Sequence, residues 1–306
     1  MSLIEVVKGT GPSGFGYGST AEDVTRGLDL TNRVIVVTGC NSGIGWETAR
    51  VLAMRGAKVI ATARTEEKAR AACAAMSGSF VPLACDLSAP SSVRAAIDAV
   101  KNSGLRLDAI VCNAGIMALP ELKQAFGYEL QFFTNHVGHF MLVTGLLSAL
   151  VDDGRVVMVS SDAHRRAPRA GIEFDNLSGE KHYSPWKAYG QSKLANLLFA
   201  RELGRQLKLT KKTANALHPG VIRTNLVRNM SSVIHVAWRI AAPLFMKSIA
   251  QGAATQCYLA VHPKVSGITG EYFSDCNVGE STAAGRDDAL AAQLWKATES
   301  IVAGLP

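Results

Sequence analysis

Apolar and polar positions along residues 30–220 alternate between two patterns. Short apolar runs predict buried strands at 33–38, 57–63, 79–84, 107–112, 155–160 and 213–217. Helical spacing predicts helices over 47–56, 65–76, 90–102 and 188–207, and one within 121–150. Continuous apolar strands separated by helices predict an α/β fold with a single doubly wound, Rossmann-like parallel sheet that carries helices on both faces.

Three segments interrupt this alternation. Residues 1–30, with the Gly- and Ser-rich stretch 9–19, predict an N-terminal arm ahead of one domain that covers 31–306. A polar insertion at 162–187 follows the fifth strand, and an apolar insertion around 225–250 follows the sixth. Open α/β sheets bind ligands at the carboxyl ends of their strands, so we expect both insertions to wall a substrate site. The second is expected to be a substrate lid, with peripheral membrane contact left open.

Composition narrows the class of protein. The 306 residues are 48% hydrophobic and 19% charged, which excludes a disordered chain or a coiled coil. The formal net charge of +7 comes from dispersed basic residues, which argues against nucleic-acid binding. No apolar run has the length of an integral membrane segment. Six cysteines without a Cys-x-x-Cys pair indicate reduced thiols and a cytoplasmic location.

A glycine cluster follows the first predicted strand, in the order Thr38-Gly39-Cys40-Asn41-Ser42-Gly43-Ile44-Gly45. Glycines allow the backbone to approach a pyrophosphate, and the free N–H groups of the next helix attract it. Because the cluster lies between a strand and a helix, it predicts nucleotide binding; the alternative is a simple turn.

The end of the second strand indicates which nucleotide is bound. Arg64 lies where an acidic residue would hold a ribose 2′-hydroxyl. A guanidinium suits a 2′-phosphate, which predicts NADP(H) as cofactor. The alternative is that Arg64 is a solvated charge.

Two Tyr-x-x-x-Lys pairs lie close together, Tyr183 with Lys187 and Tyr189 with Lys193. Pro185 disfavours helix within the first pair, whereas the second begins a long amphipathic helix that aligns its side chains. A charge at ~4 Å and an effective dielectric of ~20 is worth about 4 kcal/mol, or at most roughly three pKa units. We therefore expect Lys193 to make Tyr189 an acid/base group.

Together these motifs resemble the short-chain dehydrogenase/reductase family, over about 30–285. The matching elements, in family order, are the 38–45 glycine motif, Cys112-Asn113-Ala114-Gly115, Asn135, Ser160-Ser161, Tyr189-x-x-x-Lys193, and His218-Pro219-Gly220 with Thr224. Within the family the chain is similar to the retinol dehydrogenase and WW-domain oxidoreductase branch and to chloroplast-type members. The likeness lies in TNHVGHF at 134–140, HPGVIRTNL at 218–226 and GEYFSDC at 270–276.

The resemblance implies a role for each matched position. Ser161 would bind the substrate oxygen, and Tyr189 would pass the proton. Lys193 would lower the Tyr189 pKa and hold the nicotinamide ribose, and Asn135 would support a water leading from Lys193 to solvent. The cofactor positions implied are Gly39, Ser42, Gly43, Ile44 and Gly45 at the pyrophosphate, Asp86 and Leu87 at the adenine, Asn113, Ala114 and Gly115 at the adenosine ribose, and Pro219, Gly220, Ile222 and Thr224 near the carboxamide.

The expected activity is an NADP(H)-dependent transfer of hydride between the nicotinamide and an apolar aldehyde or ketone, or the matching alcohol. The open alternatives are a non-catalytic dinucleotide-binding sensor or scaffold and a C=C reductase. Asn113 and Asn135 could serve structure alone. The helical spacing of His136 and His139 suggests zinc only weakly, because no third ligand is evident, and dispersed histidines make hydrolase chemistry a remote alternative. Monomer and homodimer both stay open.

Overall fold

The computed structural model describes residues 9–222 and 246–306. The strands of its main sheet are β1 Val34–Val37, β2 Lys58–Ala63, β3 Ser79–Ala84, β4 Leu107–Cys112, β7 Leu150–Val159, β8 Thr213–His218, β9 Tyr272–Ser274 and β10 Asn277–Val278, and a separate hairpin consists of β5 Gln124–Ala125 and β6 Tyr128–Glu129. The strand order of the main sheet is β10-β9-β8-β7-β4-β1-β2-β3, parallel throughout except for β10.

Helices connect the strands. They are α1 Ala21–Val24, α2 Gly43–Met54, α3 Glu66–Ala74, α4 Pro90–Asn102, α5 Leu130–Phe132, α6 Gly138–Leu146, α7 Pro185–Gln206, α8 Ile249–Val261 and α9 Asp288–Ala303. A π-helical turn, Phe133–Val137, joins α5 to α6, and short 3₁₀ turns lie at Leu147–Ala149, Asp162–Arg166, Phe174–Asn176, Pro263–Val265 and Ala284–Arg286. Among the described residues, no helix combines the length and apolarity needed to cross a membrane.

The sheet is buried on both faces. In β1, Val34 and Val36 belong to one hydrophobic core and Ile35 and Val37 to the other, because successive strand side chains point to opposite faces. Helices α4, α6 and α7 cover the first face, and α2 and α8 cover the second. The predicted doubly wound α/β fold is therefore confirmed.

Element boundaries differ from the predictions where polar or glycine residues hide the pattern. Helix α2 begins at Gly43 rather than 47, inside the glycine cluster. Helix α7 begins at Pro185 rather than 188. A proline is tolerated there, because the first residue of a helix needs no backbone N–H for hydrogen bonding within the helix. The predicted strand 155–160 begins earlier, at Leu150, because the Asp-Asp-Gly stretch 152–154 interrupts the apolar pattern. Its pairing with β4 contains a register shift. The helix predicted within 121–150 is divided into a hairpin, α5, the π turn and α6.

The described part of the N-terminal arm packs onto the sheet domain. Thr20 and Asp23 form a capping box that begins α1. The Phe15 ring meets the Tyr258 ring edge to face at 5.7 Å, and the Ser13 backbone N–H donates to Asn277 Oδ1 at 2.9 Å. Residues 9–19, predicted to lack regular structure, contain only an isolated bridge between Thr10 and Gly16.

Candidate active site

A crevice opens between the carboxyl ends of β1 and β4, at the point where the strand order reverses. Thr38 ties the two strand ends together: its hydroxyl accepts from the backbone N–H groups of Asn113 and Ala114, both at 2.9 Å. The Asn113 side chain donates to the Thr38 carbonyl at 2.8 Å and accepts from Gln256 at 3.1 Å. Asn113 therefore has a structural role at the bottom of the crevice, which was one of the two roles open to it.

Two glycines keep the crevice open. Gly39 has φ +74°, and a Cβ there would lie 3.0 Å from Ala114. A Cβ on Gly45 would lie 2.3 Å from both the Gly39 carbonyl oxygen and Asn113 Nδ2. Since real Cβ atoms do not approach so closely, only glycine fits, and the backbone presents the narrow cradle that a pyrophosphate requires. The described residues thus fit a dinucleotide.

The crevice is a cleft of about 460 Å³. The sequence-predicted residues that line it are Gly39, Ser42, Gly43, Ile44, Gly45, Arg64, Asp86, Leu87, Asn113, Ala114, Gly115 and Tyr189. Residues that line it without having been predicted are Asn41, Ala63, Cys85, Ile116 and Thr134.

Two charged residues at the adenosine end of the cleft differ in their partners. Asp86 accepts from the backbone N–H and hydroxyl of Ser88, at 2.9 and 2.6 Å, which fixes its carboxylate. Arg64 is exposed and forms no ion pair or hydrogen bond within 9–222 and 246–306. Its guanidinium is available to an anionic ligand in the cleft.

A second cavity of about 390 Å³ adjoins the cleft. It brings together nine predicted residues: Ile44, Asn113, Gly115, Ser161, Tyr189, Lys193, Pro219, Gly220 and Ile222. Its other lining residues are Ile116, Met117, Val159, Ser160, Asp162, Ala163, Arg166, Trp186, His218 and Val221. Thr224 and most of the predicted lid lie outside the described residues.

The two neighbouring serines after β7 have different partners. The Ser160 hydroxyl donates to the Lys193 carbonyl at 2.7 Å and is buried. Ser161 begins the 3₁₀ turn Asp162–Arg166, and its hydroxyl accepts from the Ala163 backbone N–H at 3.1 Å. Of the two serines, Ser161 is the one that influences the phenol, because it opposes the rise of the Tyr189 pKa.

The first Tyr-x-x-x-Lys pair lies elsewhere. Tyr183 precedes α7, donates to the Leu119 carbonyl at 2.7 Å and lines neither the cleft nor the second cavity. The break predicted from Pro185 separates it from the helix, whereas Tyr189 and Lys193 share α7 and the cavity wall.

The electrostatics of Tyr189 and Lys193 differ from the expectation. Burial raises the pKa of Tyr189 to about 12, partly opposed by its hydrogen bond with Ser161. Burial lowers the pKa of Lys193 to about 8, because an ammonium is poorly solvated there. Lys193 Nζ donates to the Val159 carbonyl at 2.9 Å and lies 5.7 Å from the Tyr189 ring centroid. In this arrangement burial dominates, so the pKa of Tyr189 lies above its usual value rather than below it, and the role of Lys193 in opposing that rise stays a prediction.

Asn135 lies in the π turn behind the cavity and is fully buried. Its amide donates to the Ile116 carbonyl and to Ser192 Oγ, both at 2.9 Å, and its Oδ1 accepts from the Ile116 N–H at 2.8 Å. A Cβ on Gly115 would lie 3.1 Å from Asn135 Oδ1 and 3.4 Å from Lys193 Nζ. Asn135 thus holds the backbone beside the Lys193 ammonium.

His139 links this asparagine to the crevice. Burial lowers its pKa to about 4, so the ring is neutral and carries one proton. Nδ1–H donates to the Asn135 carbonyl at 2.8 Å, which leaves Nε2 to accept from the Thr38 hydroxyl at 2.9 Å.

His136 Nε2 donates to Thr298 at 2.9 Å, at helix α9. The described residues contain no cluster of three metal-ligating side chains.

Some of the cavity residues that sequence reasoning missed carried no motif signal. Arg166 and Trp186 lie in the polar insertion 162–187, where no spacing singles out a residue. Thr134 had a usable signal, because it directly precedes Asn135 on a helix expected to reach the site.

Comparisons with known proteins agree with this geometry. Residues 33–234 match the family model "short chain dehydrogenase". The chain is 42% identical to the chloroplastic short-chain dehydrogenase TIC 32 B of Brassica napus, covering 100% of both chains. It is 35% identical to retinol dehydrogenase 14 of Homo sapiens, covering 93% of this chain and 91% of the relative.

Solved structures agree as well. A crystal structure of an uncharacterized protein from Mycobacterium Paratuberculosis has a TM-score of 0.76 and 35% identity, covering 94% of this chain and 98% of that one. A short chain dehydrogenase from Burkholderia cenocepacia, solved in complex with NADP, has a TM-score of 0.64 and 25% identity, covering 79% and 96%. The chain belongs to the short-chain dehydrogenase family, whose members are oxidoreductases that bind nicotinamide dinucleotides.

Proposed function

We propose that this protein is an NADP(H)-dependent oxidoreductase that moves hydride between the nicotinamide and an apolar aldehyde or ketone, or the matching alcohol. Ser161, Tyr189 and Lys193 are the proposed catalytic group. The proposed partner is a small molecule, and the proposed location is the cytoplasm, in keeping with six free cysteines, five of them buried.

One observation carries the proposal: Tyr189 lines both the dinucleotide cleft and the second cavity. Its phenol therefore lies where a molecule in the cavity would meet a cofactor in the cleft. Ile44, Asn113, Gly115 and Ile116 share this double position and form the boundary between the two spaces. The lining of the second cavity includes Ile116, Met117 and Trp186, which suits an apolar substrate.

The described residues support proton transfer to a carbonyl oxygen. When bound, the cofactor supplies the hydride that adds to the carbonyl carbon. The Ser161 hydroxyl donates a hydrogen bond to the carbonyl oxygen, and Tyr189 transfers its phenolic proton to that oxygen as negative charge develops there. Because its pKa is raised to about 12, Tyr189 is protonated at neutral pH and holds the proton that this step requires. The nearby Lys193 ammonium stabilises the phenolate that remains.

Preference for NADP(H) rests on Arg64. Its exposed guanidinium at the rim of the cleft has no partner among the described residues. A ribose 2′-phosphate would accept hydrogen bonds from it, whereas NADH offers no such anion there. The Burkholderia relative in complex with NADP is compatible with this choice.

The test is Tyr189→Phe, with Tyr183→Phe as matched control. Oxidation of NADPH, followed by nicotinamide absorbance with a panel of apolar aldehydes and ketones, should fall by roughly 10²–10⁴-fold in Tyr189→Phe. NADPH binding, measured by fluorescence titration, should persist. Tyr183→Phe should retain turnover because its phenol lies outside both cavities. Activity retained by Tyr189→Phe would overturn the assignment.

A further inference from the structure

Arg166 and Trp186 form one wall of the second cavity. Arg166 is the last residue of the 3₁₀ turn Asp162–Arg166, and Trp186 lies in the first turn of α7. The Arg166 guanidinium carbon lies 5.0 Å from the centroid of the Trp186 ring. That ring in turn meets the Tyr189 ring edge-on, with 6.2 Å between centroids. The Trp186 ring therefore contacts both a positive charge and the ring of Tyr189.

The Arg166 charge is not neutralised by the described residues. Arg166 forms no ion pair or hydrogen bond within 9–222 and 246–306. The nearest acidic residue on the same turn, Asp162, is engaged by Arg165 at 2.8 Å, and Arg165 also donates to the Glu280 carbonyl at 2.7 Å. Cation–π contact with Trp186 orients the guanidinium without cancelling its charge.

Other charges around the cavity do not change this balance. Lys193 adds a second cation deep in the cavity. His218 is neutral, because burial lowers its pKa to about 4, and its Nδ1 accepts from the Asp162 N–H at 3.0 Å. The cavity wall formed by Arg166 and Trp186 therefore carries an unneutralised positive charge among the described residues.

We propose that the substrate carries a carboxylate at the end of its apolar body, and that Arg166 is the residue that selects it. This inference rests on the proposed function and names the substrate class of the same site. The carbonyl lies at Ser161 and Tyr189, the apolar body packs against Trp186, and the carboxylate pairs with the Arg166 guanidinium, which can donate two parallel hydrogen bonds. Trp186 is 44% exposed, so its ring offers a free surface for that packing.

Matched substrates test the inference. The ratio of kcat/KM for para-formylbenzoate to that for its methyl ester reports selection of the carboxylate, because the two compounds share the reacting aldehyde. Wild type should prefer the acid. Arg166→Leu should lower the ratio by about 10-fold or more, through a higher KM for the acid, since a charged hydrogen bond is lost from substrate binding. Arg166→Lys should retain part of the preference.

Arg169→Leu is the control, because it removes the same charge from an exposed position of the same insertion outside the cavity lining. It should leave the ratio unchanged. An equal loss in both leucine variants, an unchanged ratio in Arg166→Leu, or wild-type turnover without preference for the acid overturns the inference and leaves the proposed function standing. If no aldehyde of any kind is reduced, the proposed function fails, and the inference fails with it.

Discussion

Lys247 and Asp275 form an ion pair in which the lysine is almost fully removed from water and the aspartate largely so. Lys247 Nζ lies 2.6 Å from Asp275 Oδ1, and the two side chains are 1% and 17% exposed. The Lys247 N–H donates to the Val221 carbonyl at 2.9 Å, and a Cβ on Gly220 would lie 2.6 Å from Lys247 Cδ. The ammonium also lies 5.0 Å from the centroid of the Tyr17 ring. The pair therefore joins the loop after β8, the turn before β10 and the N-terminal arm.

Breaking this pair should destabilise the protein. Lys247→Met removes the ammonium that lies against the Asp275 carboxylate in this largely buried pair, which should lower the free energy of unfolding by about 3 kcal/mol. Adding Asp275→Asn should recover part of the loss, because the amide carries no charge and tolerates the positive φ of 52° at that position. Urea unfolding of both single variants and the double variant measures the coupling. Strictly additive losses would show that the two side chains act independently.

Lys193→Met should make the protein more stable at neutral pH and inactive. Wild type holds a desolvated ammonium whose pKa is lowered from 10.5 to about 8, a cost of roughly 3 kcal/mol that the neutral methionine avoids. The Val159 carbonyl keeps a donor, because Asn196 Nδ2 lies 3.2 Å from it. Urea unfolding at several pH values measures the difference.

The pH dependence has a definite sign. Below about pH 8, Lys193 is charged in both the folded and unfolded states, and the full cost applies. As the pH rises from 8 to 10.5, the folded state loses its proton first, so wild type gains stability and the advantage of Lys193→Met disappears. Lys187→Met, at the exposed lysine of the other pair, should show neither effect. An advantage that is constant with pH would contradict burial as its cause.

Gly45→Ala should abolish dinucleotide binding. The added methyl group would meet the Gly39 carbonyl oxygen and Asn113 Nδ2 at 2.3 Å, so the cradle must distort. Gly104→Ala is the control: Gly104 has φ +69°, lies outside the cleft, and has no heavy atom within 4 Å of the place that a methyl group would occupy. It should cost about 1 kcal/mol of stability and leave NADPH binding, measured by calorimetry, intact. Equal NADPH binding by Gly45→Ala and Gly104→Ala would show that the glycine cradle is not needed to bind the dinucleotide.

Arg64→Ala should reduce preference for NADPH. Loss of the guanidinium should lower kcat/KM for NADPH by about 10-fold to 100-fold and leave that for NADH almost unchanged, because only NADPH carries the 2′-phosphate. Arg70→Ala, which removes an exposed arginine paired with Glu66 and outside the cleft lining, should have no such effect. A wild type that prefers NADH would show that Arg64 is only a solvated charge.

The local pattern of residues was enough to predict six of the eight strands of the main sheet and much of the cleft, whereas the short strands β9 and β10 were not predicted. Buried parallel strands must be apolar on both faces, and glycine is required where the chain turns beside another backbone, so β1, β2 and β4 and the positions of Gly39 and Gly45 could be located from the sequence. Pro185 likewise distinguished Tyr183 from Tyr189, because proline restricts its own neighbours in the chain.

Contacts between distant segments could not be predicted in this way. The π turn around Asn135 depends on hydrogen bonds to Ile116, 19 residues away, and the pKa of Tyr189 depends on how deeply the folded chain buries it. The pairing of Lys247 with Asp275 and the contact of Arg166 with Trp186 bring together residues from insertions and turns that have no periodic pattern. Local propensities act over a few residues, whereas burial and charge pairing depend on the packing of the whole chain. The sequence by itself therefore determined the fold and the chemistry present, and only the tertiary structure decided the electrostatics of the phenol and the wall that faces the substrate.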